Sequence, residues 1–300
     1  MRVLLISNPV AARTRPRSVD AVVGVLRQGG WDVEPAATSG PGDARLLAEG
    51  AVARGVDVVA VYGGDGTTMQ AAAALVGTDV SLGVIPGGTG NLLAGNLRIP
   101  ASPVRAARVM LSARPKRFDL GRMERPGRAQ YFAVACGAGY DARVMAETLA
   151  IHKRRWGMAA YVATTLRLIR EIRSAAHLIT IDGVEYDAEA SMVLVANCGE
   201  VIPPYVRLRS GIRPDDGLLD VIVLRANNLS ESVAAVWHLL RDAPDLQGEA
   251  THVGYARGRE IRVETDPVRP VQLDGEPGGE TPFTATVVPG AVRILVPGAG

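Results

Sequence analysis

The sequence predicts an α/β chain in two parts, an open α/β sheet followed by a mainly antiparallel β half. At 300 residues the chain exceeds the roughly 100–200 residues of a usual single domain. In about the first 115 residues, apolar strand-like runs alternate with helical patterns, as in parallel βαβ units. Beyond Phe118, short strand runs separated by turn residues predominate. Two domains of different construction are therefore predicted.

Composition excludes several classes of protein. With 47% hydrophobic and 21% charged residues, the chain has enough apolar side chains for a substantial core, and its net charge of +2 is too small to predict nucleic-acid binding. Cys136 and Cys198 lie in separate apolar runs, which argues against a disulfide framework or a zinc site and fits the reducing cytoplasm. No run of about 18 apolar residues occurs, so we expect any membrane contact to be peripheral, at the inner face.

The first part shows repeated strand and helix signals. Apolar residues recur at helical spacing from Val19 to Leu26, and Gly29 and Gly30 close that helix. The run at 56–62 is almost wholly apolar, which indicates a strand buried on both faces. The predicted strands are 3–6, 31–34, 56–62 and 80–85, and further helices are predicted at 44–54, after residue 66 and at 91–97.

The second part reads as antiparallel sheet. Asp182-Gly183 lies between two β-rich runs, which is a strong hairpin signal. The other predicted strands are 192–196, 218–224, 261–263, 271–273 and 292–296, and two helices are predicted at 142–173, with a break near Trp156, and at 230–240.

Three unusual turns follow strands of the predicted open sheet. They are Asn8-Pro9, the glycine-rich turn at 63–67 and the glycine-rich turn at 86–91. Ligands of open α/β sheets bind beyond the carboxyl ends of the strands, so we expect the three turns to converge. Glycine-rich turns before helices form phosphate cradles, and two of them indicate a polyphosphate. Asp65 would repel phosphate, so it binds Mg²⁺ through water or bonds the amides of its own turn; the plain alternative is a tight turn without a ligand.

Other phosphate motifs are absent or incomplete. The chain contains no P-loop motif, and its only lysines are Lys116 and Lys153. Residues 137–142 fit G-x-G-x-x-A, but no acid follows about 20 residues later to bind a ribose. A dinucleotide fold of that kind is therefore not predicted.

The ordered set of motifs resembles the diacylglycerol kinase catalytic-domain family, and most closely its bacterial soluble lipid kinases, a branch that includes sphingosine-kinase-like enzymes. NAD kinases share the GGDGT motif but not the whole set. The matching stretches are Asn8-Pro9, Thr38 with 42–44, GGDGT at 63–67, PGGTGN at 86–91, FDLG at 118–121, DDGLLDV at 215–221 and LDGE at 273–276.

The resemblance implies a three-layer open α/β nucleotide-binding domain at 1–118 and a β-sandwich lipid-binding domain at 119–300. It also implies transfer of the ATP γ-phosphate, with Mg²⁺, to the hydroxyl of diacylglycerol or a related lipid in the cleft between the domains. The residues that the resemblance assigns to the nucleotide are Asn8, Thr38, Gly63, Gly64, Asp65, Gly66, Thr67, Thr68, Gly88, Thr89 and Asn91.

The β-rich half would supply a metal site and an acid pair. By resemblance, Asp216 binds a structural Mg²⁺ together with the carbonyls of Arg213 and Leu218, and Asp274 and Glu276 lie at the reacting hydroxyl. An alcohol is a poor nucleophile near neutral pH, so a positioned carboxylate has to take its proton. Which of the two acids is the base stays open. The plain alternative for Asp274-Gly275 is a hairpin turn, although the Gly/Pro-rich continuation predicts a longer loop.

Two departures from the family pattern bear on the nucleotide. Residues 10–13 read Val-Ala-Ala-Arg where the family often has a small residue and glycine, and Gln70 stands where an acid is common. Nucleotide preference therefore stays open. A non-catalytic nucleotide- or lipid-binding relative and an NAD-kinase-like enzyme are the alternatives.

The partner expected from the resemblance is a lipid at a membrane surface. The stretch 152–156 combines basic residues with Trp156 and would suit anionic lipid, or else is a solvated helix start. The segment 159–169 would line an acyl-chain slot or belong to the core. The oligomeric state stays open, a homodimer included.

Overall fold

The computed structural model describes residues 1–139, 174–202, 206–208, 211–225 and 253–298. The helices predicted at 142–173 and 230–240 and the segments 152–156 and 159–169 lie outside these residues. The chain forms two compact units, of which the first contains Met1–Leu120 and a C-terminal segment from Pro289 onward. The second unit is built from residues between Gly121 and Val288.

The first four strands of the chain pair in parallel in the order β2-β1-β3-β4. The strands are β1 (Arg2–Ser7), β2 (Asp32–Ala37), β3 (Val58–Gly63) and β4 (Ser81–Pro86). Every residue of β3 and β4 is buried, as the almost wholly apolar sequence predicts for strands covered on both faces. The open α/β fold predicted for this part of the chain is confirmed.

Five helices accompany this sheet within the described residues. They are α1 (Pro16–Gln28), α2 (Asp43–Ala53), α3 (Asp65–Leu75), α4 (Leu92–Asn96) and α5 (Pro103–Ser112). Pro16 begins α1, and Val22, Val23 and Leu26 form its buried face. The sequence interpretation missed α5, although Pro103 at its start and buried Ala106, Ala107 and Met110 give the same signature. Both helices contribute to one apolar core with the strands.

The second unit is a mostly antiparallel β-sandwich, as expected. One of its sheets has the order β14-β13-β10-β7-β16-β17, and the other includes β15-β8-β9. Apolar side chains from both sheets share a single core cluster that includes Phe132, Val195, Val221 and Phe283. The strands are β5 (Arg114–Arg125), β6 (Arg128–Phe132), β7 (Ala135–Gly139), β8 (Ala175–Ile181), β9 (Val184–Ala190), β10 (Met192–Ala196), β11 (Glu200–Ile202), β12 (Val206–Arg207), β13 (Leu219–Leu224), β14 (Val253–Gly258), β15 (Glu260–Asp266), β16 (Pro270–Leu273), β17 (Glu276–Glu280) and β18 (Phe283–Val296).

The last strand belongs to both units. The beginning of β18, from Phe283, pairs antiparallel with β15, whereas Arg293 and Ile294 pair parallel with Ser81 and Leu82 of β4. The sequence placed 292–296 among the strands of the second half because its apolar pattern does not identify its partner. A division of the chain at 118/119 therefore leaves out the return of the C-terminal segment to the first unit.

Among the described residues, no helix combines the length and the apolar character that a membrane crossing requires.

Candidate functional site

The three unusual turns begin side by side at one edge of the parallel sheet. Ser7 at the end of β1 pairs with Tyr62 of β3, and Gly63 at the end of β3 pairs with Pro86 of β4. The chain therefore leaves three adjacent strands at the same level and enters the three turns there. The predicted convergence of these turns is confirmed.

The two glycine-rich turns are in backbone contact. A Cβ atom on Gly88 would lie 2.6 Å from the Cα atom of Gly64, a distance that only the absence of a side chain allows. The amide of Gly87 donates to the carbonyl of Gly63 over 2.8 Å. Glycine at Gly88 is thus required by the close approach of one turn to the other, whereas a Cβ on Gly64 would lie at an ordinary contact distance of 3.5 Å from the Cα atom of Gly88.

Asp65 connects these turns as well. It is the first residue of α3, and its carboxylate accepts a hydrogen bond from the amide of Leu93 over 3.3 Å. Of the two roles predicted for this acid, bonding to amides is present, but the amide belongs to the neighbouring turn. The same carboxylate lies 3.1 Å from the position of a Cβ on Gly90. Asp65 is therefore held between the first turn and the start of α4.

Asn91 closes the second turn from within. Its backbone is left-handed, with φ of 51°, a conformation that asparagine tolerates better than most residues. Its side-chain amide accepts from the Gly88 amide and donates to the Gly88 carbonyl, each over 2.8 Å. Thr89, by contrast, is exposed at the tip of the turn. The arrangement fixes the turn and leaves the Thr89 side chain accessible to a ligand.

Asn8 links the first turn to α3. Its side-chain amide donates to the hydroxyl of Thr67 over 2.8 Å, and its side-chain carbonyl accepts from the amide of Val10 over 3.1 Å. Its own backbone amide donates to the carbonyl of Tyr62 over 3.0 Å. Asn8 and Thr67, both predicted to contact the nucleotide, are thus direct neighbours.

The unusual residues after Asn8-Pro9 form a compact loop. The amide of Arg13 donates to the carbonyl of Gly87 over 2.8 Å, and the Tyr62 hydroxyl donates to the carbonyl of Arg13 over 2.9 Å. The loop is therefore docked on the second glycine-rich turn, although it lacks the glycine common in the family. Val10 projects from it with 90% of its surface exposed.

The loop after β2 reaches the same edge of the sheet. The amide of Thr38 donates to the carbonyl of Ser7 over 2.9 Å. The side-chain carbonyl of Gln70, on α3, accepts from the amide of Gly42 over 3.1 Å. Gln70, which departs from the family pattern, thus connects α3 with the start of α2. The oxygen that accepts this bond is one that a glutamate at the same position would also have.

The start of α3 is suited to an anion. The carbonyl of Gly64 accepts from both the amide and the hydroxyl of Thr68, each over 3.0 Å. The amides of Gly66 and Thr67 lie in the first turn of the helix, where the helix itself provides no acceptor. The helix dipole adds partial positive charge at the same end. This end of the helix can therefore bind a phosphate group.

The predicted acid pair lies in a tight hairpin of the second unit. Asp274 and Gly275 connect β16 with β17, with φ of 45° and 85°, the same arrangement as Asp182-Gly183 with φ of 49° and 85°. The expectation of a long loop was wrong, because Glu276 and Pro277 already pair with Leu273 and Gln272 of β16. A left-handed Asp-Gly pair closes a two-residue turn regardless of the glycines that follow.

The two acids of this hairpin have different surroundings. The carboxylate of Asp274 accepts hydrogen bonds from three consecutive backbone amides, those of Ala133 at 2.8 Å, Val134 at 2.8 Å and Ala135 at 3.0 Å. Glu276 is exposed at the start of β17. Asp274 thus holds the segment before β7, whereas the Glu276 carboxylate is accessible from solvent.

Two buried thiols lie near Asp274. Burial and the negative charge of Asp274 raise the pKa of both Cys136 and Cys198 well above the ordinary value. Both cysteines are free, and the thiol of Cys198 donates to the carbonyl of Ala133 over 3.2 Å. They are core residues without the thiolate character of a nucleophile.

Of the residues predicted to bind a structural metal, Asp216 is in contact with an arginine. One oxygen of Asp216 accepts from the amide of Leu218 over 3.1 Å, and the other contacts the guanidinium of Arg257. Arg213 forms an ion pair with Asp215 at 3.1 Å. Arg257 also pairs with buried Asp220 at 3.0 Å.

Family models agree with this architecture over most of the chain. The model of the diacylglycerol kinase catalytic domain matches residues 2–123. The model described as the YegS C-terminal NAD kinase beta sandwich-like domain matches residues 134–296. The chain therefore combines a catalytic domain of the diacylglycerol kinase family with a C-terminal domain of the YegS type.

Proteins from several bacteria resemble the chain over nearly its full length. Proteins named diacylglycerol kinase from Mycobacterium tuberculosis (strain ATCC 25618 / H37Rv) and Bacillus subtilis (strain 168) are each 27% identical to it. The alignments cover 100% and 99% of this chain and 96% of each relative. A crystal structure of a diacylglycerol kinase from Bacillus anthracis str. Sterne has a TM-score of 0.74 at 23% identity and covers 98% of this chain and 96% of that one. That structure supports the fold.

Membership in the diacylglycerol kinase family fixes the reaction class. The chain is a lipid kinase, a phosphotransferase with an alcohol group as acceptor and ATP as phosphate donor. The sequence interpretation missed Arg13, Tyr62 and Arg257 as parts of these sites. Tyr62 could have been noticed, because a tyrosine hydroxyl at the end of a buried strand requires a partner.

Proposed function

We propose that this lipid kinase transfers the γ-phosphoryl group of Mg-ATP to the hydroxyl of diacylglycerol or a related lipid. The main support for nucleotide binding is the contact of Gly88 with Gly64, which joins two glycine-rich turns at the start of α3. The names of the relatives favour diacylglycerol as the acceptor. Mg²⁺ accompanies the nucleotide, because the charge that develops on the phosphoryl oxygens has to be neutralised.

The first unit binds the nucleotide in this proposal. The amides of Gly66 and Thr67 and the start of α3 bind the phosphates, and Asn8 and Thr89 contact the nucleotide from the neighbouring turns. Gly63, Gly88 and Asn91 shape the turns. Thr38, Gly64 and Thr68 complete the nucleotide site that the resemblance implies. The carboxylate of Asp65 keeps the two turns in register and faces Mg²⁺ through water.

Glu276 is the general base in this proposal, and Asp274 positions the backbone around it. Three amides already take three of the about four acceptor positions of the Asp274 carboxylate, so this side chain holds the backbone of 133–135. The Glu276 carboxylate is exposed and directly follows the same tight turn. Proton abstraction by a positioned base contributes about 10²–10⁴-fold to the rate, which Glu276 would supply.

The acceptor also determines where the enzyme works. The acyl chains of a diacylglycerol hold it in a bilayer, so its hydroxyl is presented at the membrane surface. The enzyme therefore associates peripherally with the membrane during turnover. Co-sedimentation with vesicles that contain diacylglycerol, compared with vesicles that lack it, measures this association.

The experiment that tests the function is a transfer assay with ATP labelled at the γ-phosphate. Purified protein is incubated with vesicles that carry one candidate lipid each, diacylglycerol, a monoacylglycerol or a sphingoid base, and a further sample contains NAD. We expect label in a lipid product and none in NAD. Label in NADP would establish the NAD-kinase-like alternative, and absence of label from every acceptor with intact ATP binding would establish the non-catalytic one.

A further inference from the structure

Arg257 lies between two carboxylates of the second unit. On the antiparallel pair of β13 and β14, Arg257 is directly opposite Asp220, and its Nε atom lies 3.0 Å from an oxygen of that carboxylate. A terminal nitrogen of the same guanidinium contacts the carboxylate of Asp216, in the loop that leads into β13. One guanidinium therefore bridges the loop and the strand.

Besides Arg257, the carboxylates of Asp216 and Asp220 have few other hydrogen-bond donors among the described residues. The other oxygen of Asp216 accepts from the Leu218 amide over 3.1 Å. Asp220 is fully buried, and the oxygen that meets Arg257 also accepts from the hydroxyl of Tyr255. Its second oxygen has no hydrogen-bond partner within the described part of the chain. The buried charge of Asp220 is thus compensated through Arg257 and Tyr255.

The electrostatics of this cluster require a positive charge. Burial raises the pKa of Asp220, and the charge of Asp216 adds to this effect, while the hydrogen bond from Tyr255 and the charge of Arg257 oppose it. For Arg257, burial lowers the pKa, but the hydrogen bond with Asp216 and the attraction of both carboxylates outweigh burial and leave the pKa raised. An uncompensated buried carboxylate is strongly destabilising.

A metal does not fit this arrangement of Asp216. Mg²⁺ binds oxygen ligands at about 2.0–2.1 Å in near-octahedral geometry, and its charge would repel a guanidinium that contacts the same oxygen. The Asp216 oxygen that is not bonded to the Leu218 amide is already in contact with the guanidinium. The residues that the resemblance assigns to a structural Mg²⁺, Arg213, Asp216 and Leu218, therefore do not form a metal site while Arg257 remains in place.

We propose that Arg257 is the built-in cation of the 215–220 loop and takes the place of a structural metal there. The loop then keeps its conformation without Mg²⁺, and Mg²⁺ serves this protein only together with the nucleotide. The cluster around Arg257 belongs to the folded second unit, so its stability can be measured without a lipid and without turnover.

The first test uses the nucleotide-free wild-type protein. Its melting temperature is measured by circular dichroism in EDTA and in millimolar MgCl₂, and Mg²⁺ binding is measured by calorimetry. We expect the same melting temperature in both buffers and no binding heat. A melting temperature that falls in EDTA and recovers in MgCl₂ would overturn the proposal.

The second test compares Arg257→Met with Arg262→Met. Arg262 forms a pair with Glu264 at 2.7 Å, but both side chains are largely exposed, so this variant controls for loss of a surface ion pair. We expect Arg257→Met to lower the melting temperature by roughly 5–10 °C in EDTA, and Arg262→Met to change it little. MgCl₂ should partly restore stability to Arg257→Met, because the freed carboxylates can then bind a metal.

Two results of the variant experiment would contradict the proposal. One is a melting temperature of Arg257→Met equal to that of Arg262→Met. The other is a folded Arg257→Met protein that Mg²⁺ does not stabilise. If Arg257→Met fails to fold, Arg257→Lys takes its place in the Mg²⁺ titration, because lysine keeps a charge but lacks the guanidinium that bridges both carboxylates. The wild-type measurement remains decisive.

Discussion

Gly88 and Gly64 touch through their backbones, and a side chain on Gly88 would come within 2.6 Å of the Cα atom of Gly64. The two residues come from turns that follow adjacent parallel strands. The shape of the proposed nucleotide site therefore depends on the absence of a side chain at Gly88. The contact leads directly to a mutational test.

Gly88→Ala should force the two turns apart. Overpacking of this kind costs about 1–3 kcal/mol, and we expect ATP affinity to fall about tenfold or more, because 1.4 kcal/mol corresponds to a factor of ten. Calorimetric ATP titration and thermal unfolding measure the two effects. The control is Gly24→Ala in α1, where the added Cβ meets open space and helix propensity improves. ATP affinity in Gly88→Ala equal to that of the control would show that the contact does not shape the site.

Asp65 can be tested for charge and for hydrogen bonding separately. Asp65→Asn keeps an oxygen that can accept from the Leu93 amide, whereas Asp65→Ala removes it. If the charge of Asp65 faces Mg²⁺, we expect kcat/KM to fall about 100-fold or more in both variants. This corresponds to a loss of about 2.7 kcal/mol in transition-state stabilisation. Only Asp65→Ala should also lose about 1–3 kcal/mol of stability.

The activity of Asp65→Asn also provides the result that would contradict the metal role. If Asp65→Asn turns over like the wild type, the acid serves only to connect the turns. Thermal unfolding of both variants without nucleotide is the control, because it separates the loss of the Leu93 contact from the loss of nucleotide binding.

The sequence predicted the fold of the first unit well because its signals are local. Alternating apolar runs and helical spacing define elements, and the parallel order follows from βαβ units. The role of β18 was missed, since its pairing with β4 joins residues more than 200 positions apart. An apolar strand pattern contains no information about its partner.

The same limit applies to the sites. The convergence of three turns followed from sheet geometry, but the contacts of Asp274 and Asp216 join segments distant in sequence. Asp274 was expected in a long loop, and the structure shows it in a hairpin that binds the backbone of 133–135. A sequence motif identifies both acids of the hairpin, but it does not show which one is the base and which one binds backbone amides.

Buried His177 should make the stability of the protein depend on pH. It is buried on β8, where its Nδ1 atom donates to the carbonyl of Ala175 over 2.8 Å. Burial lowers its pKa, with Arg269 acting in the same direction and the Ala175 carbonyl and Glu189 opposing them. Below pH of about 6.5 the unfolded state binds a proton that the folded state does not, so stability should fall as the pH falls.

The measurement for His177 is the melting temperature between pH 5 and 8. His177→Asn keeps a donor near the position of Nδ1 and removes the titration. As the pH falls, the wild type should lose more stability than this variant. A difference that is constant across this range would contradict the lowered pKa.

The final prediction assigns the two acids of the β16–β17 hairpin. Glu276→Gln should leave the melting temperature and ATP affinity unchanged and lower kcat by about 10²–10⁴-fold, because the proton acceptor is lost. Asp274→Asn should instead lose about 2–4 kcal/mol of stability, since a neutral amide replaces a charged acceptor of three backbone N–H groups.

Asp182→Asn is the matched control for this hairpin. Asp182 also begins a left-handed Asp-Gly turn, and its carboxylate accepts from the amides of Arg259 and Glu260. It should lose stability without a loss of kcat in the folded protein. Steady-state kinetics with saturating ATP and thermal unfolding are compared for all three variants. Normal kcat in Glu276→Gln, together with a fully stable and inactive Asp274→Asn, would exchange the two roles and make Asp274 the base.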